Sequence, residues 1–219
     1  QGRRIRRGGA RYEDRTMTKD IPEISLQRLP VYLNYLKSLP EGDKYISSGA
    51  IAAALGMGEV LVRKDLAYTS SSGRPKVGYV RTELIAAIEE YLGCDKKKTA
   101  VLVGVGGLGS ALLGYGGFGK YGIDIVEAYD NNPAKVGTQV CGRPVLDDCA
   151  MAEGIGRCGA VLAILAVPAQ AAQTVCDQLV NAGIKGVLNF VPVQLKAPES
   201  VVVRNIDVAA SLAILASLL

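Results

Sequence analysis

The sequence predicts an α/β protein in two parts, a small winged helix-turn-helix followed by a parallel sheet and a separate apolar C-terminal helix. Short amphipathic helices with glycine turns fill the first part, whereas apolar strand-like runs alternate with helical patterns in the second. The predicted divisions are a disordered leader, a winged-helix domain, a dinucleotide-binding sheet domain and a terminal helix, over residues 1–16, 17–93, 99–206 and 207–219.

Composition excludes several classes of protein. The 219 residues suit one or two domains, and a hydrophobic content of 49% is enough for packed cores. The chain has no histidine, and its five cysteines form no C-x-x-C pair, so a Cys/His zinc site and a histidine base are excluded and no metal is expected. The cysteines are expected to be reduced apolar filler, with a redox-sensing thiol as the alternative.

Charge is distributed unevenly along the chain. Residues 1–98 carry 18 Lys and Arg against 12 Asp and Glu, whereas residues 99–219 carry 7 against 9. The basic first part favours an acidic partner such as nucleic acid. Residues 1–16 hold six arginines and are either an extension foreign to the protein or a native basic arm. Because this start lacks an apolar signal region, and the uncharged stretch 99–119 is rich in glycine, we expect a cytoplasmic protein without a membrane span.

The first helical pattern covers residues 21–39. Leucines recur along one face of it, and Ser25 is a plausible N-cap. Pro30 lies inside the pattern and predicts either a kink or a later helix start. A further helix is predicted over 82–92, and Gly93 ends it.

Between these two helices the sequence predicts a helix-turn-helix. Ser47 or Ser48 caps a short helix over 50–55, and Gly56-Met57-Gly58 forms the turn. A second helix follows over 59–68, in the place of the recognition helix of DNA-binding proteins.

The polar segment 69–80 is typical of a wing. Arg74 and Lys76 lie near its tip, where they can reach the narrow minor groove of an A·T tract, and Arg63 and Lys64 are placed for the major groove or its phosphates. For each basic residue the alternative is an ordinary solvated charge. The partner expected is double-stranded DNA, an A·T-rich palindrome, and the candidate contacts are Ser47, Ser48, Arg63, Lys64, Tyr68, Arg74 and Lys76.

A glycine motif marks the start of the second part. An apolar strand over 100–103 runs into Gly104, Gly106 and Gly109, a G-x-G-x-x-G spacing that an apolar helix follows. A second strand over 123–129 ends at Asp130, which can bind a ribose diol and favours NAD(H) over a phosphorylated analogue. This is the pattern of a Rossmann-type domain, with a structural glycine turn as the alternative. Its candidate contacts are Gly104, Gly106, Gly107, Leu108, Gly109, Asp130, Lys135 and Val136.

Three more strands are predicted, over 159–167, 185–190 and 201–203, with a helix over 169–182. Ligands of such sheets bind beyond the carboxyl ends of the strands. The candidates at these ends are Ala166, Val167, Pro168, Asn189, Phe190 and Pro192, each with an ordinary turn as the alternative.

Residues 207–219 predict a helix that is apolar almost all round and capped by Asp207. Such a helix must be buried. We interpret it as a dimer element exchanged between subunits, with packing on its own domain as the alternative.

Several segments together resemble one family over residues 20–219. They are Arg28-Leu-Pro-Val-Tyr32, Ile46-Ser-Ser48, Val62-Arg-Lys-Asp-Leu66, Val77-Gly-Tyr79, Val103 to Gly109, Tyr115 to Phe118, Val167-Pro-Ala169, Gly183 to Gly186, Asn189-Phe190 and Val203 to Asp207. The chain resembles the Rex family of redox-sensing transcriptional repressors. The resemblance implies a homodimer with a domain-swapped C-terminal helix, in which NADH and NAD+ compete for one site and NADH releases operator DNA.

The resemblance also implies a switch. Arg28 and Asp207 would pair between domains in the DNA-bound form, and Tyr115 would exchange partners with Asp207 when the nicotinamide changes oxidation state. Since the oxidised ring is cationic and the reduced ring neutral, a carboxylate can distinguish them without hydride transfer. Three features depart from the family pattern, namely the Ser-rich segment 69–72, Lys76 and Val208.

Two other functions remain as alternatives. An NAD-dependent oxidoreductase with an accessory N-terminal domain is disfavoured by the missing histidine, and only Tyr115 and Lys120 stand as catalytic candidates. A scaffold that binds NAD for stability alone is the other.

Overall fold

The structure, a computed structural model, describes residues 21–69, 73–74 and 77–219. The chain divides into two compact units between Leu92 and Gly93. The predicted leader and Lys76 of the predicted wing lie outside the described residues, as do Ser70 to Ser72.

The N-terminal unit consists of short helices and a two-stranded sheet. Its elements are α1 (Glu23–Leu26), α2 (Leu29–Ser38), β1 (Tyr45–Ile46), α3 (Ser48–Leu55), α4 (Glu59–Leu66), a 3₁₀ turn (Ala67–Thr69), β2 (Tyr79–Val80) and α5 (Arg81–Leu92). The apolar faces of these helices form its core, in which the fully buried side chains include Leu29, Tyr32, Leu33, Leu36, Ile51, Val62, Leu66, Leu84 and Ile88.

The first predicted helix is in fact two. Pro30 stands in the first turn of α2, where its missing N–H has no helical partner to lose, so the later start is the one observed. The prediction that Ser25 is an N-cap was wrong, because Pro22 precedes α1 and Ser25 is a buried residue within it. The Ser25 hydroxyl instead accepts a hydrogen bond from Arg28 at 3.2 Å.

The helix-turn-helix is formed by α3 and α4. Ser47 caps α3 by accepting a hydrogen bond from the backbone N–H of Ala50 at 3.0 Å. Gly56 ends α3 in the left-handed conformation, at φ 64°, which a side chain would disfavour. The predicted second helix ends at Leu66 and tightens into the 3₁₀ turn. In the wing segment, Arg74 and Gly78 exchange two backbone hydrogen bonds across the tip.

The C-terminal unit is a seven-stranded, mostly parallel sheet with helices. In chain order its elements are β3 (Lys98–Val103), α6 (Gly107–Leu113), β4 (Ile123–Asp130), β5 (Gln139–Val140), β6 (Arg143–Asp147), α7 (Met151–Cys158), β7 (Leu162–Leu165), α8 (Ala172–Asn181), β8 (Gly186–Asn189), β9 (Val202–Asn205) and α9 (Val208–Ala216). The strand order is β5-β6-β4-β3-β7-β8-β9, and only β5 is antiparallel to its neighbour.

This order places the reversal of chain direction between β3 and β7. The chain leaves β3 towards β4 on one side and later returns to pair β7 on the other. Alternate residues of β3 enter two cores, with Val101 and Val103 on one face and Ala100 and Leu102 on the other. The sheet is therefore covered on both faces, and a crevice opens beyond the carboxyl ends of β3 and β7.

Helix α7 has no counterpart among the predicted elements, and β7 is shorter than the predicted run 159–167. Gly154 of α7 lies close to Tyr129 of β4, where a Cβ would overlap the tyrosine hydroxyl. Helix α9 begins after Asp207, whose carboxylate accepts from the N–H of Ala210 at 2.7 Å as predicted. Its large apolar side chains are exposed, including Leu212 at 66% and Ile214 at 65%. Among the described helices, all are too short or too polar to traverse a bilayer.

Candidate functional site

The glycine turn after β3 has the close packing that its spacing predicts. Gly104 takes φ 96°, and its N–H donates to the carbonyl of Tyr129 at 2.8 Å. A Cβ on Gly104 would overlap the carbonyl of Ala166, and a Cβ on Gly109 would overlap the carbonyl of Gly104. A Cβ on Gly106, in contrast, would meet no protein atom within 4 Å, which leaves the backbone open to a ligand.

Asp130 ends β4 beside this turn and is 8% exposed. Its carboxylate accepts from the N–H of Val105 at 2.8 Å, from the N–H of Asn132 at 2.9 Å and from Lys135 Nζ at 3.2 Å. Burial alone would raise the pKa of Asp130, but these hydrogen bonds lower it below its usual value. The carboxylate is thus ionised and oriented. Since Oδ2 serves Val105 and Lys135 while Oδ1 serves Asn132, Oδ1 keeps acceptor capacity for a ligand hydroxyl.

The turn and Asp130 line a cleft of about 510 Å³ beyond the ends of β3, β4 and β7. The predicted residues that it brings together are Gly104, Gly106, Gly107, Leu108, Asp130, Lys135, Ala166, Val167 and Pro168. Sequence reasoning missed other lining residues, namely Val103, Tyr129, Asn131, Asn132, Asp148, Ala171 and Val175. Asn131 and Asn132 directly follow Asp130, the acid predicted to bind the ribose, and this position could have identified them. Asp148 follows β6, and no sequence pattern pointed to it.

The other predicted cofactor residues do not line this cleft, and their roles stay predictions. They are Gly109, Tyr115, Val136, Asn189, Phe190, Pro192 and Asp207. Gly109 acts through packing. The buried Asn189 amide donates to the carbonyls of Val191 and Val193 and to Asn205 Oδ1, and its Oδ1 accepts from the N–H of Val191. Asn189 therefore holds the segment after β8 in place, which makes it a positioning residue.

Tyr115 and Asp207, the two switch candidates of this unit, are both exposed. The Tyr115 ring is 61% exposed and meets Phe118 edge-on, with 5.3 Å between ring centroids. Asp207 uses its Oδ1 to cap α9. The switch roles of Tyr115 and Asp207 stay predictions.

Arg28, the third switch candidate, is held within the N-terminal unit by Asp65. Arg28 Nε donates to Asp65 Oδ2 at 2.6 Å and Nη2 donates to Oδ1 at 2.8 Å, so the pair is bidentate. The Tyr32 hydroxyl donates to the same Oδ2 at 2.6 Å. Burial would raise the pKa of Asp65, but the bonds from Arg28, Tyr32 and Ser25 lower it, and burial together with Asp65 raises the pKa of Tyr32 to about 12. Nη1 takes no part in the bonds to Asp65, and the predicted pairing of Arg28 with Asp207 stays a prediction.

A second cleft, of about 370 Å³, lies on the helix-turn-helix. Four of the predicted DNA contacts line it, together with residues that were not predicted; the lining is Ser47, Ser48, Glu59, Arg63, Gly73, Arg74, Val77, Gly78 and Tyr79. Lys64 is exposed on α4 outside this lining, and Tyr68 is half-buried. The arrangement joins the start of α3, the first half of α4 and the wing into one surface. Glu59 is an acid within it that sequence reasoning missed.

The exposed thiol of Cys149 follows two acids on a 3₁₀ turn. Its backbone N–H donates to Asp147 Oδ1 at 2.9 Å, and ligand atoms of Asp147, Asp148 and Cys149 lie within 4.8 Å of one another. Asp147 and Asp148 raise the pKa of the Cys149 thiol. Since the thiolate is the reactive form, this environment opposes the alternative of a redox-sensing thiol at this position.

The chain is similar to known proteins over nearly its whole length. A family model described as "Putative DNA-binding protein N-terminus" matches residues 20–67, and one described as "CoA binding domain" matches 95–193. A protein of Porphyromonas gingivalis named "Redox-sensing transcriptional repressor Rex" is 40% identical over 204 residues, 93% of this chain and 94% of its own. The protein of that name from Streptomyces coelicolor is 39% identical over 209 residues, 95% of this chain and 81% of its own.

Solved structures agree with this similarity. A structure described as "RSP in complex with beta-NAD+ and operator DNA" has a TM-score of 0.85 and 32% identity, covering 90% of this chain and 91% of its own. A structure of RSP "in complex with beta-NADH" has a TM-score of 0.81 and 32% identity, covering 90% of this chain and 93% of its own.

Proposed function

The chain belongs to the Rex family of redox-sensing transcriptional repressors, and we propose that it acts as a homodimer on an A·T-rich palindromic operator. It is a redox-sensing repressor that binds NADH, NAD+ and operator DNA. NADH in the cleft of the C-terminal unit releases the DNA, so repression follows the NADH/NAD+ ratio. The protein works in the cytoplasm, where both the nucleotide pool and the DNA are present.

The cofactor assignment depends on one observation. The glycine turn opens onto a cleft at the point between β3 and β7 where the strand order reverses. The open space at Gly106 accommodates a pyrophosphate next to the start of α6, whose free N–H groups favour anions. Asp130 holds the adenosine ribose through Oδ1. Lys135 contacts the other carboxylate oxygen, Oδ2, and neutralises part of the Asp130 charge.

The cofactor supplies a charge that depends on its oxidation state. The nicotinamide ring of NAD+ is cationic and that of NADH is neutral, so a carboxylate near the ring favours the oxidised form. Asp207 fills this role, and Tyr115 becomes its partner when the ring is reduced. No hydride transfer to a substrate is required, and the relatives are named as repressors rather than enzymes.

DNA is bound by the second cleft and the adjoining face of α4. Exposed Arg63 and Lys64 enter the major groove or contact its flanking phosphates. Ser47 and Ser48 donate to phosphate, and Arg74 reaches the adjacent minor groove. Lys76, which lies outside the described residues, is a proposed contact from the sequence alone. Tyr68, half-buried in the 3₁₀ turn that follows α4, is a further proposed DNA contact.

A gel-shift titration tests this function. The full chain is titrated onto an A·T-rich palindromic duplex alone, with NAD+ and with NADH. We expect a complex that NAD+ preserves and NADH dissolves. A duplex affinity that does not depend on the oxidation state of the nucleotide would refute the sensor, and turnover of NADH with small carbonyl compounds would favour the oxidoreductase instead.

A further inference from the structure

Glu59 is the acid in the surface that we assign to DNA. The lining residues around it that carry charge are Arg63 and Arg74, and the hydroxyls of Ser47 and Ser48 complete the polar part. A carboxylate among these groups repels phosphate. Glu59 therefore opposes DNA binding at this surface unless its side chain moves away.

The Glu59 carboxylate lies over the first turn of α3. Ser48 Oγ donates to Glu59 Oε1 at 3.3 Å, and Oε2 lies 3.4 Å from the position that a Cβ on Gly49 would take. Glu59 thus accepts the hydrogen bond that the Ser48 hydroxyl is predicted to donate to a phosphate. Ser47 differs, because its Oγ accepts from the N–H of Ala50, and this bond leaves its O–H available as a donor to phosphate.

A phosphate oxygen and the Glu59 carboxylate are chemically similar acceptors. Both are anionic, and both take a hydrogen bond from a serine hydroxyl. A phosphate can reach Ser48 only if the carboxylate moves away, and moving it costs the bond to Ser48 and leaves one negative charge beside the backbone of the duplex.

We propose that Glu59 is an internal competitor for a DNA phosphate at Ser48, and that it lowers the affinity of this chain for all duplexes, operator and non-operator alike. The inference rests on the proposed DNA-binding surface. Glu59 is exposed at the start of α4, so its side chain has room to leave Ser48 when DNA binds. Because Glu59 weakens the phosphate contact at Ser48, DNA binding depends more strongly on the other contacts made by α4 and the wing.

Glu59→Gln tests the proposal, because the amide keeps a hydrogen-bond acceptor for Ser48 and removes the charge. Binding of the full chain is measured against two fluorescent duplexes of equal length, an A·T-rich palindrome and a G·C-rich duplex without symmetry, over a range of salt. We expect E59Q to bind both duplexes about three- to tenfold more tightly at low salt, as loss of one close like-charge contact in water implies. The salt slope should become steeper by about 1.

Two further variants make the result specific. Glu83→Gln removes an exposed acid of the same unit outside the cleft, and we expect it to change neither affinity nor slope measurably. The gain from E59Q should be smaller in a Ser48→Ala background, because the phosphate donor that Glu59 blocks is then missing and only the removal of charge remains. An equal gain in the two backgrounds would overturn the competition at Ser48.

Three further outcomes overturn the inference. The first is an E59Q affinity no tighter than that of wild type, the second is an equal gain for E59Q and E83Q, and the third is a loss of E59Q affinity confined to duplexes with a cytosine at one position. The last outcome would make Glu59 a residue that accepts from a cytosine amino group. A wild-type chain that binds neither duplex would instead overturn the proposed function, and the inference with it.

Discussion

Replacing Asp65 by Asn should strongly destabilise the N-terminal unit. The substitution keeps the size of the side chain and removes its charge. The Asp65 side chain is 2% exposed and that of Arg28 is 18% exposed, so the two groups form a nearly dry ion pair. Asn cannot accept both Arg28 bonds through one oxygen with the same geometry, and its amide group would face the guanidinium as a donor.

The magnitude follows from burial. Removing one partner of a buried ion pair costs about 3–5 kcal/mol, since the other charge is left without compensation. The partial exposure of Arg28 lets water reach it, so we expect the lower end, about 3 kcal/mol. For a unit of this size that is a fall in the melting temperature of roughly 15 °C.

The effect should depend on pH in a defined direction. The folded-state pKa of Asp65 is lowered, so its stabilising contribution is present above its ordinary pKa and is lost as the pH falls through the folded value. The stability of wild type should therefore fall on acidification below about pH 4 by more than that of D65N.

Calorimetry and chemical unfolding of the full chain provide the assay, and Asp43→Asn, an exposed acid of the same unit, provides the control. NADH affinity should be unchanged in D65N, because the cofactor cleft belongs to the other unit. If D65N unfolds at the temperature of wild type, the pair contributes no net stability and the argument from burial is refuted.

Three other changes have expected outcomes. Because the pKa of buried Tyr32 is raised from about 10 to about 12, its contribution should fall by about 1.4 kcal/mol per pH unit across that interval, and Tyr32→Phe should remove this loss in unfolding curves at alkaline pH. Gly109→Ala should abolish NADH binding in calorimetric titration, since its Cβ would overlap the carbonyl of Gly104; binding with unchanged affinity would show that the turn can relax. Deleting 208–219 should give monomers in light scattering that still bind nucleotide but no longer distinguish NADH from NAD+; a dimer without this segment would exclude it as the dimer element.

The glycine turn could be predicted because its signal is local. Gly104, Gly106 and Gly109 have a fixed spacing. Close packing of the backbone requires Gly104 and Gly109, whereas Gly106 leaves space for a ligand. The acid at 130 was likewise predictable from its position at a strand end. The family resemblance extended the prediction to residues 20–219.

The polar pairs could not be predicted, because they depend on contacts far apart in sequence. Asp65 is 37 residues from Arg28, and its place beneath α2 follows from the angle between helices, which no local pattern encodes. Glu59 is an acid in the first turn of α4, a common position for one, and only the fold shows its contact with Ser48, which is 11 residues away. Ser25 was misjudged for a related reason, because a serine at a helix start suits a cap and a buried bond equally.

The exposure of α9 bears on how the charge of the nicotinamide can be sensed. Two unit charges 4 Å apart interact by about 1 kcal/mol in water but by about 4 kcal/mol near a protein surface from which water is partly excluded. Asp207 is exposed in the single chain, beside a helix whose leucines and isoleucine also face solvent. In that state water screens the interaction of Asp207 with the charged ring, and NAD+ and NADH would differ in affinity by about fivefold or less. Covering α9 with a second copy of the chain would exclude this water and strengthen the same interaction into the 1–3 kcal/mol range typical of allosteric coupling or above it. We therefore expect dimer formation to strengthen redox discrimination itself, in addition to serving the proposed recognition of a palindrome; a monomeric variant that separates NADH from NAD+ as well as wild type would contradict this.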